Sequence, residues 1–147
     1  MCAETAMSDN LRRLLIFNVQ GGRYALDLRD VAEVMAPPLM FPLPWAPGFL
    51  KGTMNFHGSL VTLLDLADFM KVGCTDRAGN ILVLDKRIAN LALWVDSVEN
   101  IILSDEILEE DETSDPLVDK MLIMADGSIS LLAVGKLLES IEETLRR

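Results

Sequence analysis

The 147-residue sequence predicts an all-β fold, a barrel or sandwich, with a single helix at its end. Three observations carry that expectation. Apolar runs of strand length recur along most of the chain and are separated by turn residues. Glycine-containing pairs, Gly21-Gly22 and Asp126-Gly127, stand between β-prone runs where a tight hairpin needs them. The last segment spaces its apolar residues at the helical period over several turns.

Taken in order, residues 14–28, "LLIFNVQGGRYALDL", read as two adjacent strands around Gly21-Gly22, because glycine reaches the positive φ of a tight turn. "RDVAEVM" suits one helical turn through Val31 and Val34, or the beginning of a strand through its β-branched residues. "APPLMFPLPWAPGF" carries five prolines, which remove backbone donors and forbid a regular helix, so it is expected to be an extended, exposed connection or edge. Leu50 to Phe56 and Leu60 to Leu64 read as strands around His57-Gly58-Ser59. "DLADFM" makes a short helical turn with Asp65 as its cap.

The glycines and polar residues of "KVGCTDRAGN" form a joint, after which "NILVLDKR", "ANLALWVD" and "SVENIILS" are three further strand-length runs. Residues 105–119, "DEILEEDETSDPLVD", hold many acids and no Lys or Arg, which predicts a solvated acidic connection. A calcium loop is a poor reading of them, since "DETSDP" places proline where such a loop needs glycine. "KMLIMADGSISLLAV" is a second hairpin. The terminal helix, residues 135–146, presents Val134, Leu137, Leu138, Ile141 and Leu145 as one apolar stripe. Residues 12–147 are thus expected to form one domain of two successive lobes, about 14–70 and 79–134, behind a flexible N-terminus at 1–11.

Composition narrows the function classes. A net charge of -10 disfavours nucleic acid and anionic membrane as partners, because both attract basic surfaces. Charges interrupt every apolar stretch before the ~20 residues of a spanning helix, so no direct membrane insertion is expected. The opening "MCAETAMSDNLRRLL" lacks the pattern of an export signal, and two cysteines with no pairing signature fit the reducing cytoplasm.

Chemistry has few candidates. His57 is the only histidine, and Cys2 and Cys74 are the only cysteines. Zinc needs about four ligands, or three and water, and the chain has neither CxxC nor HxxxH spacing. A small enzyme using His57 with Cys74 or Asp65 is one reading, while Asp65 and Asp96, each ending an apolar run, read better as caps than as paired catalytic carboxylates. Neither a phosphate loop, a dinucleotide-binding glycine pattern nor a nucleophile elbow is present, so no cofactor, no metal and no catalytic residue is assigned.

The order of these landmarks resembles the CheW family, the coupling proteins of bacterial chemotaxis. "IFNVQGGRYALDLRDVAEV" is similar to that family's opening, "PLPWAPGFLKGTMNFHGSLVTLLDL" to its proline-bounded loop followed by N-L-R-G and a strand ending in Asp-Leu, "LALWVDSVENII" to its G-x-V-V-D strand, and "ISLLAVGKLL" to its closing strand and helix. The resemblance spans about residues 14 to 141. It implies two small five-stranded β-barrel lobes with a C-terminal helix. It also implies a non-catalytic cytoplasmic adaptor, recruited to membrane-bound receptor arrays through its partners. Those partners would be the chemoreceptor cytoplasmic hairpin tip and the regulatory domain of a CheA-type histidine kinase. A near alternative is an adaptor of the same type serving another two-component pathway, for motility or gene regulation. By resemblance, Val31, Glu33, Val34, Gly52, Asn55, His57 and Gly58 are receptor-facing. Two departures stand out. His57 replaces the family's arginine, whose charged fork an imidazole cannot copy, and Phe56 replaces the leucine before it. The aspartate common in the closing strand region is absent from "LLAVGKLL".

Overall fold

A computed structural model describes residues 11–73 and 78–146. The described chain forms β1 (Arg13–Val19), β2 (Gly22–Asp27), β3 (Val31–Met35), β4 (Leu50–Phe56), β5 (Ser59–Asp65), α1 (Leu66–Phe69), β6 (Asn80–Leu84), β7 (Leu91–Val95), β8 (Ser97–Leu103), β9 (Glu109–Asp111), β10 (Val118–Met124), β11 (Gly127–Leu132) and α2 (Val134–Leu145). These strands build two mixed sheets, one six-stranded in the order β8-β1-β2-β11-β10-β9, the other five-stranded in the order β3-β6-β7-β5-β4. The all-β class with a C-terminal helix is therefore observed.

Two compact units are each built from separate stretches of the chain. Of the described residues, one unit gathers 11–16, 23–28 and 99–146, and the other holds 17–22 and 29–98. The reason is a non-local pairing. β11 lies parallel to β2, with Ser130 opposite Tyr24 and Leu131 opposite Ala25, so the first hairpin shares a sheet with the last one. Hydrophobic periodicity reports that a segment is a strand, not which strand it will meet.

The first unit buries Leu14, Ile16, Ala25, Ile102, Leu122, Ile129 and Leu131 together. Residues 105–119 are mostly exposed, as a solvated acidic connection would be, and within them the sheet's sixth strand, β9, forms where Glu109, Glu110 and Asp111 pair with Ile123, Leu122 and Met121. Three acids have poor β propensity, so pairing and not local preference makes this strand. Its charge also blunts the open edge of the sheet. On α2, Leu137 and Ile141 are buried but Leu145 is 50% exposed, so the apolar stripe ends a turn earlier than its spacing implies.

The second unit centres on Met54, Val61, Leu63, Ile81, Val83, Ala92 and Trp94. Val31–Met35 is strand, preceded by a single 3-10 turn at Leu28–Asp30, which settles the ambiguous reading of "RDVAEVM". Asp65 caps α1 as expected, its Oδ1 accepting the Asp68 amide at 3.3 Å while the residue stays only 1% exposed. Asp96 likewise holds a turn, accepting the Gln20 amide at 2.6 Å. That turn consists of Gln20 and Gly21, at φ 49° and 84°, one residue earlier than the glycine pair suggests.

Candidate functional site

β3 and β4 are the two edge strands of the five-stranded sheet, and the chain treats them differently. The proline-rich segment 36–49 folds back over β4: Phe41 and Thr53 exchange two backbone hydrogen bonds of 2.8 Å. Gly52 makes that approach possible. At φ 151° it lies so close beneath the loop that a Cβ would stand 2.6 Å from the Phe41 carbonyl oxygen. Among the described residues, β3 has no such cover. It pairs with β6, and a register shift between Val31 and Glu33 breaks its in-out alternation. Ala32, Glu33 and Val34 are consequently all exposed.

The turn after β4 comes round to meet β3. His57 and Gly58 occupy it with φ 51° and 85°, both left-handed, which is the backbone of a two-residue hairpin turn. Asn55 secures it by accepting the Gly58 amide through Oδ1 at 3.0 Å. The imidazole packs edge-on against Phe56, with ring centroids 4.3 Å apart. Its Nε2 lies 3.7 Å from Glu33 Oε1, and the His57 side chain is 76% exposed.

Below this contact a cavity of about 290 Å³ opens between the turn, β3 and the β6–β7 connection. Phe56, Val61, Val83 and Leu84 make its apolar walls, with Ala32, Lys86 and Asn90 at other sides. Arg87 ties the connection to the chain just ahead of β3, donating to the Arg29 carbonyl at 2.9 Å and to Asp30 Oδ1 at 3.2 Å. β3 is thus anchored at its start and along β6, and open along its other side.

Of the seven residues singled out in the sequence, Val31, Glu33 and Val34 lie on the open strand, and Asn55, His57 and Gly58 build the turn that faces it. Gly52 is buried beneath Phe41, so its contribution here is to the shape of β4. The sequence reading missed Lys86, Asn90 and the apolar wall from β6, because nothing local marks them as neighbours of His57. The pairing of His57 with Asp65 weighed for catalysis is not what the fold provides: Asp65 is committed to its cap and His57 faces Glu33. Cys2 and Cys74 lie outside the described residues. Among the described residues, no three His, Cys, Asp or Glu side chains gather closely enough to hold a metal ion, and no helix is long and apolar enough to cross a membrane.

Comparison with known proteins places this geometry in context. Residues 13–142 match the CheW-like domain. A protein of Rhizobium etli named "Probable chemotaxis protein CheW" is 24% identical over 110 residues, covering 73% of this chain and 71% of that one. The "Chemotaxis protein CheW" of Treponema pallidum is 21% identical over 119 residues, covering 77% and 68%. Among solved structures, the scaffolding protein TtCheW from Thermoanaerobacter tengcongensis superposes with a TM-score of 0.72 at 23% identity, over 83% of this chain and 88% of its own. That likeness establishes the fold.

Proposed function

The chain belongs to the CheW-like domain family, and on that premise we propose that it is a non-catalytic adaptor coupling chemoreceptors to a CheA-type histidine kinase. The match over residues 13–142 carries this reading, since it takes in both sheets and most of the terminal helix. The names of its relatives, two chemotaxis proteins and one scaffolding protein, agree with it. The seam between β3 and the His57 turn supports it in kind. Exposed backbone edge, an apolar cavity and a histidine–glutamate contact at the rim suit recognition of another protein, whereas catalysis would call for a converging set of polar groups.

On this reading Val31, Glu33, Val34, Asn55, His57 and Gly58 face the receptor hairpin tip and Gly52 shapes the strand that carries them. The protein works in the cytoplasm, brought to membrane-bound arrays by its partners. The experiment is reconstitution: the purified chain is mixed with a receptor cytoplasmic hairpin fragment and the kinase. Adaptor function predicts a three-component complex in which receptor state controls kinase activity. Binding to neither component would refute it.

A further inference from the structure

We propose that the cavity beneath His57 is a binding site for a small apolar carboxylate, a molecule that joins one ring or one short branched chain to a carboxyl group. The site goes beyond the adaptor reading, which assigns the protein no small-molecule ligand.

Phe56, Val61, Val83 and Leu84 give the cavity its apolar walls, and Val61 and Val83 also belong to the buried cluster of the second unit. Those two residues are only 3% and 1% exposed, so this wall is core and cannot collapse without disturbing the packed sheet. Ala32 and Ala89 keep the space open, because a larger side chain at either place would fill it. The volume of about 290 Å³ stands at the small end of ligand pockets, which run from roughly 300 to 1,000 Å³. Such pockets are mostly apolar, with a few polar groups that fix the ligand's orientation.

The polar groups of this cavity offer donors. Ser59, Lys86 and Asn90 line it, and among the described residues their side chains have no hydrogen-bond or ion-pair partner. The anions nearby are engaged. Asp85 accepts the Arg87 amide at 3.0 Å and faces its guanidinium at 3.5 Å, while Glu33 faces His57 at 3.7 Å. One ammonium, one amide and one hydroxyl thus remain for a ligand, and a carboxylate accepts from all three. Lys86 sets the sign, attracting an anion and repelling a cation, and its aliphatic stem extends the apolar wall toward the charge.

The test is an amide NMR titration of the full chain with phenylacetate, set beside phenylacetamide, which keeps the ring and loses the charge. Phenylacetate should shift the amides of residues 56–61 and 83–90 and saturate. Phenylacetamide should bind at the same place about two- to five-fold more weakly, as the loss of one partly exposed ion pair implies. Lys86→Met, at an exposed position, should abolish that difference and leave the phenylacetamide affinity unchanged. Ala89→Leu should exclude both molecules while the shifts of the remaining sheet stay in place. The site is overturned if phenylacetate leaves these amides unmoved at millimolar concentration, or if Ala89→Leu binds it as well as the wild type does. Equal affinity of the wild type for acid and amide overturns the carboxylate class. A receptor hairpin fragment is added last. If it displaces phenylacetate and Lys86→Met weakens the fragment's own binding, the cavity serves a protein carboxylate and the free ligand is the wrong occupant. Failure of these titrations leaves the adaptor reading standing, because assembly with receptor and kinase tests that reading separately.

Discussion

His57 Nε2 stands 3.7 Å from Glu33 Oε1 although the two residues belong to opposite margins of one five-stranded sheet. The sheet therefore bends far enough for its margins to approach, yet the approach is made by side chains and not by strand pairing. What remains is a seam with a cavity beneath it. Closure by backbone hydrogen bonds would remove both the free edge and the pocket.

The conformation of His57 gives the first prediction. A non-glycine residue at φ 51° costs about 1 kcal/mol or more, and Asn tolerates that region better, especially in an Asn-Gly turn. The exposed contact with Glu33 returns little. His57→Asn should therefore raise unfolding stability by about 0.5 to 1 kcal/mol while weakening binding of the receptor fragment. Urea denaturation and a binding titration measure the two effects. A loss of stability would mean that the Glu33 and Phe56 contacts outweigh backbone strain.

Gly52 and Gly21 separate two kinds of glycine cost. Both have positive φ, at 151° and 84°, but a Cβ at Gly21 meets open space, whereas at Gly52 it would stand 2.6 Å from the Phe41 carbonyl oxygen. Gly21→Ala should lose about 1 kcal/mol through backbone strain alone. Gly52→Ala should lose about 2 kcal/mol or more, because the loop over β4 must also move. Equal losses in denaturant unfolding would show that the loop yields freely.

These two glycines also mark how far the sequence could be read. Turn chemistry is local, so Gly21-Gly22 and His57-Gly58 announced their hairpins to within a residue, and Asp65 announced its cap. Partner choice is not local. Nothing near Tyr24 signals that Ser130 will lie beside it, and nothing near His57 signals Val83 or Lys86 across the cavity. β9 was illegible for a different reason: its three acids satisfy an edge through pairing with β10 that their own preferences oppose. Resemblance supplied the seam residues Glu33 and His57, while the buried position of Gly52 appeared only with the fold.

Asp65 provides a prediction that separates a cap from a catalytic group. It is buried, and its Oδ1 accepts the Asp68 amide at the start of α1. Asp65→Ala should destabilise the protein by about 1 to 2 kcal/mol, with the removed cap leaving a backbone donor unsatisfied. Asp65→Asn, which can still accept, should recover part of that loss. If Asp65→Ala unfolded at the wild-type denaturant midpoint, the cap would have no energetic weight.

Tyr24 supplies the prediction for pH. It is the only tyrosine in the chain, so the phenolate absorbance of the protein reports one group. Its pKa is raised above the ordinary phenol value, first by burial, which disfavours the charged phenolate, and second by the negative charge of Asp115. The folded chain therefore keeps the phenol proton at a pH where the unfolded chain has begun to lose it. The resulting stability is fully present below the unfolded pKa near 10, falls as pH rises toward and through the folded pKa, and levels off above it. Tyr24→Phe cannot lose that proton, so the stability difference between wild type and variant should shift against wild type as pH rises from about 9 to 11. Taking the difference removes every contribution common to the two proteins. Asp115→Asn should bring the phenolate transition to lower pH while leaving the burial effect in place. Urea unfolding at a series of alkaline pH values, with absorbance titration of the folded protein alongside, measures both. A phenolate transition at the ordinary value, unmoved by Asp115→Asn, would place Tyr24 in open solvent and sink the prediction.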